Sequence, residues 1–314
     1  MKLLFTADIH IKLGQKNVPV EWAKNRYRLF FRKLQELSSD KSLDKVIIGG
    51  DIFDKLPNME ELELYFELIS GLDAPTIIYS GNHEAIKKNT TFFTSLKEVS
   101  RRVNEYVIVL DDFATIDNID FIPYNKLKEY HPSDIDFHSK ILCTHVRGEI
   151  PPHVKPEVPL ELFDRWDLVL AGDLHSYENS QRNILYPGSP ITTSFHRSRV
   201  DTGVLIVDTD TLEHRWIKLD LPQLIRKTIQ AGEPMPPGDV DHIIYEIEGD
   251  LSQLADVENT DLIDKKVVKR NNEAALLLSA DMTIQQEVEE YLRYILEMNE
   301  GAISKALEEL QYVL

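Results

Sequence analysis

The chain has 314 residues, 42% of them hydrophobic, which is enough for one large domain plus a smaller one and a sizeable core. Its 53 acidic residues outnumber 35 basic ones, and the net charge of −18 argues against a broad electrostatic grip on nucleic acid. One cysteine excludes an internal disulfide; no apolar stretch approaches the roughly 18 residues that span a bilayer, and Asp8 and His10 interrupt the only apolar run near the start, so a soluble, cytoplasmic protein without membrane contact is expected.

Lys2-Leu3-Leu4-Phe5 reads as a buried strand and runs into Asp8-Ile9-His10. After a polar loop over 11–18, Val20 to Leu37 has helical spacing, with Trp22, Tyr27, Leu29, Phe30, Leu34 and Leu37 as its apolar positions. A strand over 45–49 then leads to Gly50-Asp51 and completes a β-α-β unit. The second unit runs through a helix near 58–71 and a strand over 75–79 to Gly81-Asn82-His83-Glu84. Two such units favour a sheet with helices on its faces. A helix over 89–101 is followed by expected strands Val107–Leu110, Phe113–Ile116 and Ile119–Ile122, read as a second sheet layer, with a turn at Asp117-Asn118.

Ile141-Leu142-Cys143 leads to Thr144-His145, with Cys143 read as a packed strand residue. Four prolines make 147–160 a loop at the rim of the cleft. Leu168 to Ala171 is a strand ending in Gly172-Asp173-Leu174-His175. Ile184-Leu185-Tyr186, Gly203–Asp208 and His214–Leu219 read as antiparallel strands, and the large domain is expected to close near 220. Residues 231–239 have linker composition, and strands over 243–247 and 266–268 around a helix or turn at 251–257 make a small α+β accessory domain within 221–280. From 283 to 298 the pattern is helical, Gly301 interrupts it, and Ile303, Leu307, Leu310 and Val313 share one face beyond. The helices of 281–314 either pack on their own domain or dock a partner helix.

Five clusters thus follow five predicted strands, and ligand-bearing loops beyond strand carboxyl ends are where open α/β sheets put their sites. A lone Asp-x-His arises readily by chance, but five clusters in order do not. Asp, His and Asn hold ions such as Mn, Fe or Zn, and seven such residues suffice for two ions sharing one carboxylate.

The order D-x-H, GD, GNHE, H and G-x-x-H resembles the calcineurin-like metallophosphoesterases. GDIFD at 50–54, GNHE at 81–84 and YPGSP at 186–190 followed by Ser194-Phe195 are similar to the SbcD-type nucleases of double-strand-break processing, in a compact tailed-phage form that would act in the host cytoplasm. The resemblance covers 1–220 strongly. It implies a two-sheet α/β sandwich, α+β in part and flanked by helices, with the accessory domain and C-terminal helices beyond. It also implies two divalent cations, Mn2+ or Mg2+, one held by Asp8, His10, Asp51 and His175 and the other by Asp51, Asn82, His145 and Asp173, with Asp51 bridging. His83 fills neither ion's shell and would protonate the leaving oxygen or stabilise the transition state, unless it only orients Asn82. Glu84 would bind a ligand or a loop amide, and Asp54 would cap a helix. Asp173 departs from the family's G-H-x-H run and adds negative charge that favours harder ions.

The implied activity is Mn-dependent 3′–5′ degradation of duplex DNA with endonucleolytic cutting of single strands. The implied partners are an SbcC-type coiled-coil ABC ATPase docked through the C-terminal helices and a second copy of the chain. Ser189, Arg197, Arg199, Arg147 and Lys12 are the foremost candidates for touching a DNA backbone, with Lys87, Lys88 and Arg182 behind them and Lys265, Lys266, Lys269 and Arg270 as a further basic island. The alternatives are a phosphomonoesterase or small phosphodiesterase on the same scaffold, and a non-catalytic scaffold. Lys55 stands where the superfamily's protein phosphatases have a phosphate-clamping Arg, and it lacks the bidentate fork.

Overall fold

The computed structural model describes residues 1–40, 42–87, 90–133, 137–268, 282–296 and 298–311. Lys88, Lys269, Arg270 and Val313, singled out above, lie outside the described residues. In chain order the elements are β1 (Lys2–Thr6), α1 (Val20–Ser38), β2 (Lys45–Gly49), α2 (Met59–Ser70), β3 (Thr76–Tyr79), β4 (Ala85–Lys87), β5 (Thr90–Thr91), α3 (Phe93–Val103) and β6 (Val107–Leu110). They continue with β7 (Ala114–Ile116), β8 (Ile119–Ile122), α4 (Tyr124–Leu127), β9 (Ile141–His145), β10 (Leu168–Gly172), β11 (Ile184–Leu185), β12 (Gly203–Asp208) and β13 (His214–Lys218). The last are β14 (Leu224–Gln230), β15 (His242–Gly249), α5 (Leu251–Ala255), β16 (Ile263–Val268), α6 (Ile284–Glu290) and α7 (Glu300–Gln311).

Two sheets form the expected sandwich, one ordered β13-β12-β1-β2-β3-β6 and the other β11-β10-β9-β8-β7. β1, β2, β3 and β6 run parallel, as do β8, β9, β10 and β11, so within each sheet the ligand-bearing loops leave from the same end. β2 and β10 are buried along their whole length, which explains their unbroken apolar runs. One apolar core lies between the sheets, built from Leu3, Phe5, Ile47, Tyr79, Phe121, Cys143, Leu170 and Leu205, and Cys143 is the packed strand residue expected. A second packs Tyr27, Phe30 and Leu34 of α1 and Leu64, Tyr65 and Leu68 of α2 against the outer face of the first sheet. The third gathers Tyr130, Phe163, Trp166 and Tyr186 outside the second sheet.

Several expectations are corrected. Val107–Leu110 belongs to the first sheet, because α3 carries the chain across and lays β6 parallel to β3, a third β-α-β step. Residues 184–185 run parallel to β10, since the intervening loop returns the chain to the starting edge before the strand begins. Gly301 lies inside the first turn of α7; the break falls before it, where the side chain of Asn299 accepts from the Ala302 amide at 3.0 Å and caps the helix. β14 was not anticipated, and 231–239 falls in the connection between two neighbouring strands of a three-stranded sheet, β14-β15-β16.

The chain divides into two compact units. The first comprises 1–228, 234–246 and 260–264, so it runs past residue 220. The second comprises 229–233, 247–259 and 265–314. In it, Asp250 and Gln253 cap α5 reciprocally, and Lys266 Nζ donates to the carbonyls of Leu254 and Val257 at 3.2 and 2.7 Å. A π-helical stretch over Tyr291–Ile295 extends α6. Among the described residues, no helix is long and apolar enough to cross a membrane.

Candidate metal centre

The ligand loops begin in strained backbone. Asp8, His10, Asp51 and Asp173 all have positive φ, at 58°, 49°, 51° and 101°, a region that side-chain-bearing residues rarely occupy away from functional sites. The loops meet at contact distance. A Cβ on Gly81 would sit 2.1 Å from Asp51 Oδ1, so no other residue lets the third loop approach the second this closely.

His10, Asp8 and His175 come together, as do His10, Asp51 and His83, and Asp8, Asp51 and His145; within each trio the ligand atoms lie within 4.8 Å of one another. His10 Nε2 faces His175 Nε2 at 3.1 Å and Asp51 Oδ2 at 3.6 Å, and His145 Nε2 lies 3.5 Å from Asp51 Oδ2. The Asp173 amide donates to both Asp8 oxygens, at 3.0 and 3.2 Å. His145 Nδ1 donates to the Gly49 carbonyl at 2.8 Å, which fixes the ring with Nε2 turned inward. Asn82 Oδ1 lies 2.9 Å from that Nε2. In this orientation the amide oxygen faces acceptors alone; the flipped amide would instead donate to Asp51 Oδ2 at 3.0 Å. In either orientation an amide, a carboxylate and an imidazole crowd one point.

Electrostatics give the same diagnosis. Burial pushes the Asp8 carboxyl well above its ordinary range and the His10 ring down to about 3. Burial works against charge on Asp51 and His145 too, yet their mutual attraction wins, holding Asp51 below its usual range and lifting His145 to about 10. His10 Nδ1 is buried without a hydrogen-bond partner. Crowded buried carboxylates and facing imidazole nitrogens fit divalent cations.

Around this cage Glu84 accepts from the amides of Asp51, Phe53 and Gly81 at 2.9, 3.0 and 2.7 Å, matching its expected role. Burial pushes its carboxyl up to about 7. Replacing Glu84 with Ala strands three buried donors, and chemical denaturation should show a loss on the order of 4 kcal/mol. His83 is more open; its Nδ1 donates to the Asp54 carbonyl at 2.6 Å, which leaves Nε2 facing the cage 3.9 Å from Asp51 Oδ2. The Asp54 carboxylate engages Lys12 at 2.8 Å, an ion pair in place of the expected helix cap.

Asp173 stands apart from the trios. Its two oxygens meet Arg147 Nε and Nη2 at 3.0 and 3.1 Å, and Oδ1 is 4.0 Å from His145 Nε2. Further arginines offered for DNA are also engaged: Arg199 with Asp220 and Asp241, each at 2.6 Å, and Arg197 with Glu246 at 3.3 Å. Arg182 pairs with Asp164 at 2.7 Å, and the Ser189 hydroxyl is buried without a partner. Two residues outside the expected site also support it: Tyr27, whose hydroxyl donates to the His10 carbonyl at 2.6 Å, and Tyr124, whose ring meets His145 edge-on. Tyr124 carried a usable signal, since it follows strand β8 as the ligands follow theirs. Beside His175, a cleft of about 640 Å³ opens between Tyr177, Thr193, His196 and Trp216.

Sandwich, strand-end loops and cage define a metal-dependent phosphoesterase, and the chain belongs to the calcineurin-like phosphoesterase family, whose model matches residues 1–185. It is 43% identical to the "probable exonuclease subunit 1" of Escherichia phage T5, over 98% of this chain and 97% of that protein. It is 26% identical to the "putative phosphoesterase 244L" of Invertebrate iridescent virus 6, over 66% of this chain and 75% of that one. A solved archaeal phosphodiesterase aligns with 70% of this chain and 100% of its own at 19% identity and a TM-score of 0.40.

Proposed function

We propose that the chain is a two-metal nuclease that hydrolyses DNA phosphodiester bonds. The observation that carries this is the match of nearly its whole length to an exonuclease subunit, on a chain that gathers Asp8, His10, Asp51, His145 and His175 at one point. In this reading Asp8, His10, Asp51 and His175 hold one cation, and Asp51, Asn82, His145 and Asp173 the other. Two such ions, Mn2+ by preference, supply hydroxide at neutral pH and offset charge on the scissile phosphate.

The chain's own residues do the rest. Gly49 and Glu84 fix the rings and loops that bear the ligands, so little reorganisation accompanies reaction. His83 Nε2 gives its proton to the leaving oxygen as the P–O bond breaks, while Nδ1 stays anchored on Asp54. The acidic surface and the internally paired arginines leave the grip on long duplex DNA to a partner. A coiled-coil ABC ATPase fits that role. Supporting it, Ile284, Tyr291, Tyr294, Ile295 and Leu296 of the C-terminal helical region are exposed apolar side chains. The cleft beside His175 has room for a nucleotide.

Duplex DNA labelled at either end, incubated with the protein and Mn2+, tests the reading. Stepwise release from the 3′ end, together with cutting of single-stranded circles, is expected. Hydrolysis of phosphomonoesters alone would overturn it.

A further inference from the structure

Asp8, Asp51 and Asp173 all border the cage, and one of them is treated differently. Asp8 accepts a backbone amide and Asp51 faces three imidazoles, whereas Asp173 has both oxygens taken by the fork of Arg147, at 3.0 and 3.1 Å. The Asp173 side chain is 6% exposed and that of Arg147 39%, so the guanidinium caps the carboxylate from the solvent side. Arg147 is itself located by Glu157, which accepts its backbone amide at 3.1 Å and lies 3.8 Å from its Nε. Two-point contact of this kind fixes a carboxylate's rotamer and draws off its charge. Asp173 Oδ1 nonetheless stays within 4.0 Å of His145 Nε2, at the edge of the cage.

We infer that Arg147 is a positioning residue that restrains Asp173, setting how strongly this third carboxylate pulls on a cation at the His145 side of the site. Freed of Arg147, Asp173 turns fully on the cation. Freed of Asp173, Arg147 repels it. The ion on that side is therefore held less tightly than its ligand set alone would hold it. This rests on reading the clustered residues as cation ligands.

Calorimetric titration of the metal-stripped full-length chain with MnCl2 tests it without turnover. In R147Q one of two Mn2+ equivalents should bind about tenfold more tightly, a gain that mere structural damage would not produce. In D173N the same equivalent should weaken by about tenfold, and R147Q/D173N should stay within about threefold of D173N, since Arg147 acts through Asp173 and the two changes are not additive. R147K, which keeps the charge and loses the fork, should fall between wild type and R147Q. Unchanged or weaker binding in R147Q, with wild type taking up two equivalents, would overturn this inference alone. Wild type that takes up no Mn2+ would overturn the metal reading as well.

Discussion

Asp51→Asn should abolish hydrolysis, lowering the rate by about three orders of magnitude or more, the several kcal/mol of charge stabilisation that a two-ion site supplies. No other side chain of the cage faces as many partners: its Oδ2 lies 3.6 Å from His10, 3.5 Å from His145 and 3.9 Å from His83. The substitution is nearly isosteric, and Asn Oδ1 can still accept the His83 amide that Asp51 accepts at 2.9 Å. The loops should therefore stay in place while the charge that draws two cations together is gone. Plasma emission analysis of the purified variant should find less than one metal equivalent, and thermal unfolding of the metal-free forms should match wild type within a few degrees. Full metal content in the variant would show that Asp51 does not bridge.

His83→Ala should do the converse, leaving metal uptake intact while single-turnover hydrolysis falls by about 10² to 10⁴, the range of a lost general acid. The geometry supports this separation. His83 is the most exposed imidazole facing Asp51, its Nδ1 is anchored on a backbone carbonyl, and its Nε2 sits farther from Asp51 than those of His10 and His145. Its ring meets that of His10 edge-on, with centroids 4.7 Å apart, so some softening of the first ion's site is expected without its loss. Parallel loss of metal and activity would make His83 a structural support for Asn82.

The features legible in the sequence were those written locally. The hairpin at Asp117-Asn118 has both residues at positive φ, 52° and 59°, as a tight turn between β-branched runs requires. Each of the five ligand clusters followed its strand because buried parallel strands are unbroken apolar runs. Pairing partners were less visible: Val107–Leu110 and Ile184–Leu185 were recognised as strands, but which sheet or direction they take depends on the crossover before them. β14 was missed because Arg226 and Lys227 interrupt its apolar residues, and its exposed face needs none. The grip of Arg147 on Asp173 joins residues 26 apart across two loops, a contact that only the folded sheet creates. The same holds for the cation fit. Spacing supplied candidate residues, while the facing Nε2 atoms of His10 and His175 are a property of their convergence.

Crystals grown with MnCl2 and measured on either side of the manganese absorption edge would test the centre most directly. Two anomalous peaks should appear, one among Asp8, His10 and His175 and one among Asn82, His145 and Asp173, with Asp51 between them. A protein that cleaves DNA in manganese yet shows no peak among these side chains would contradict the account.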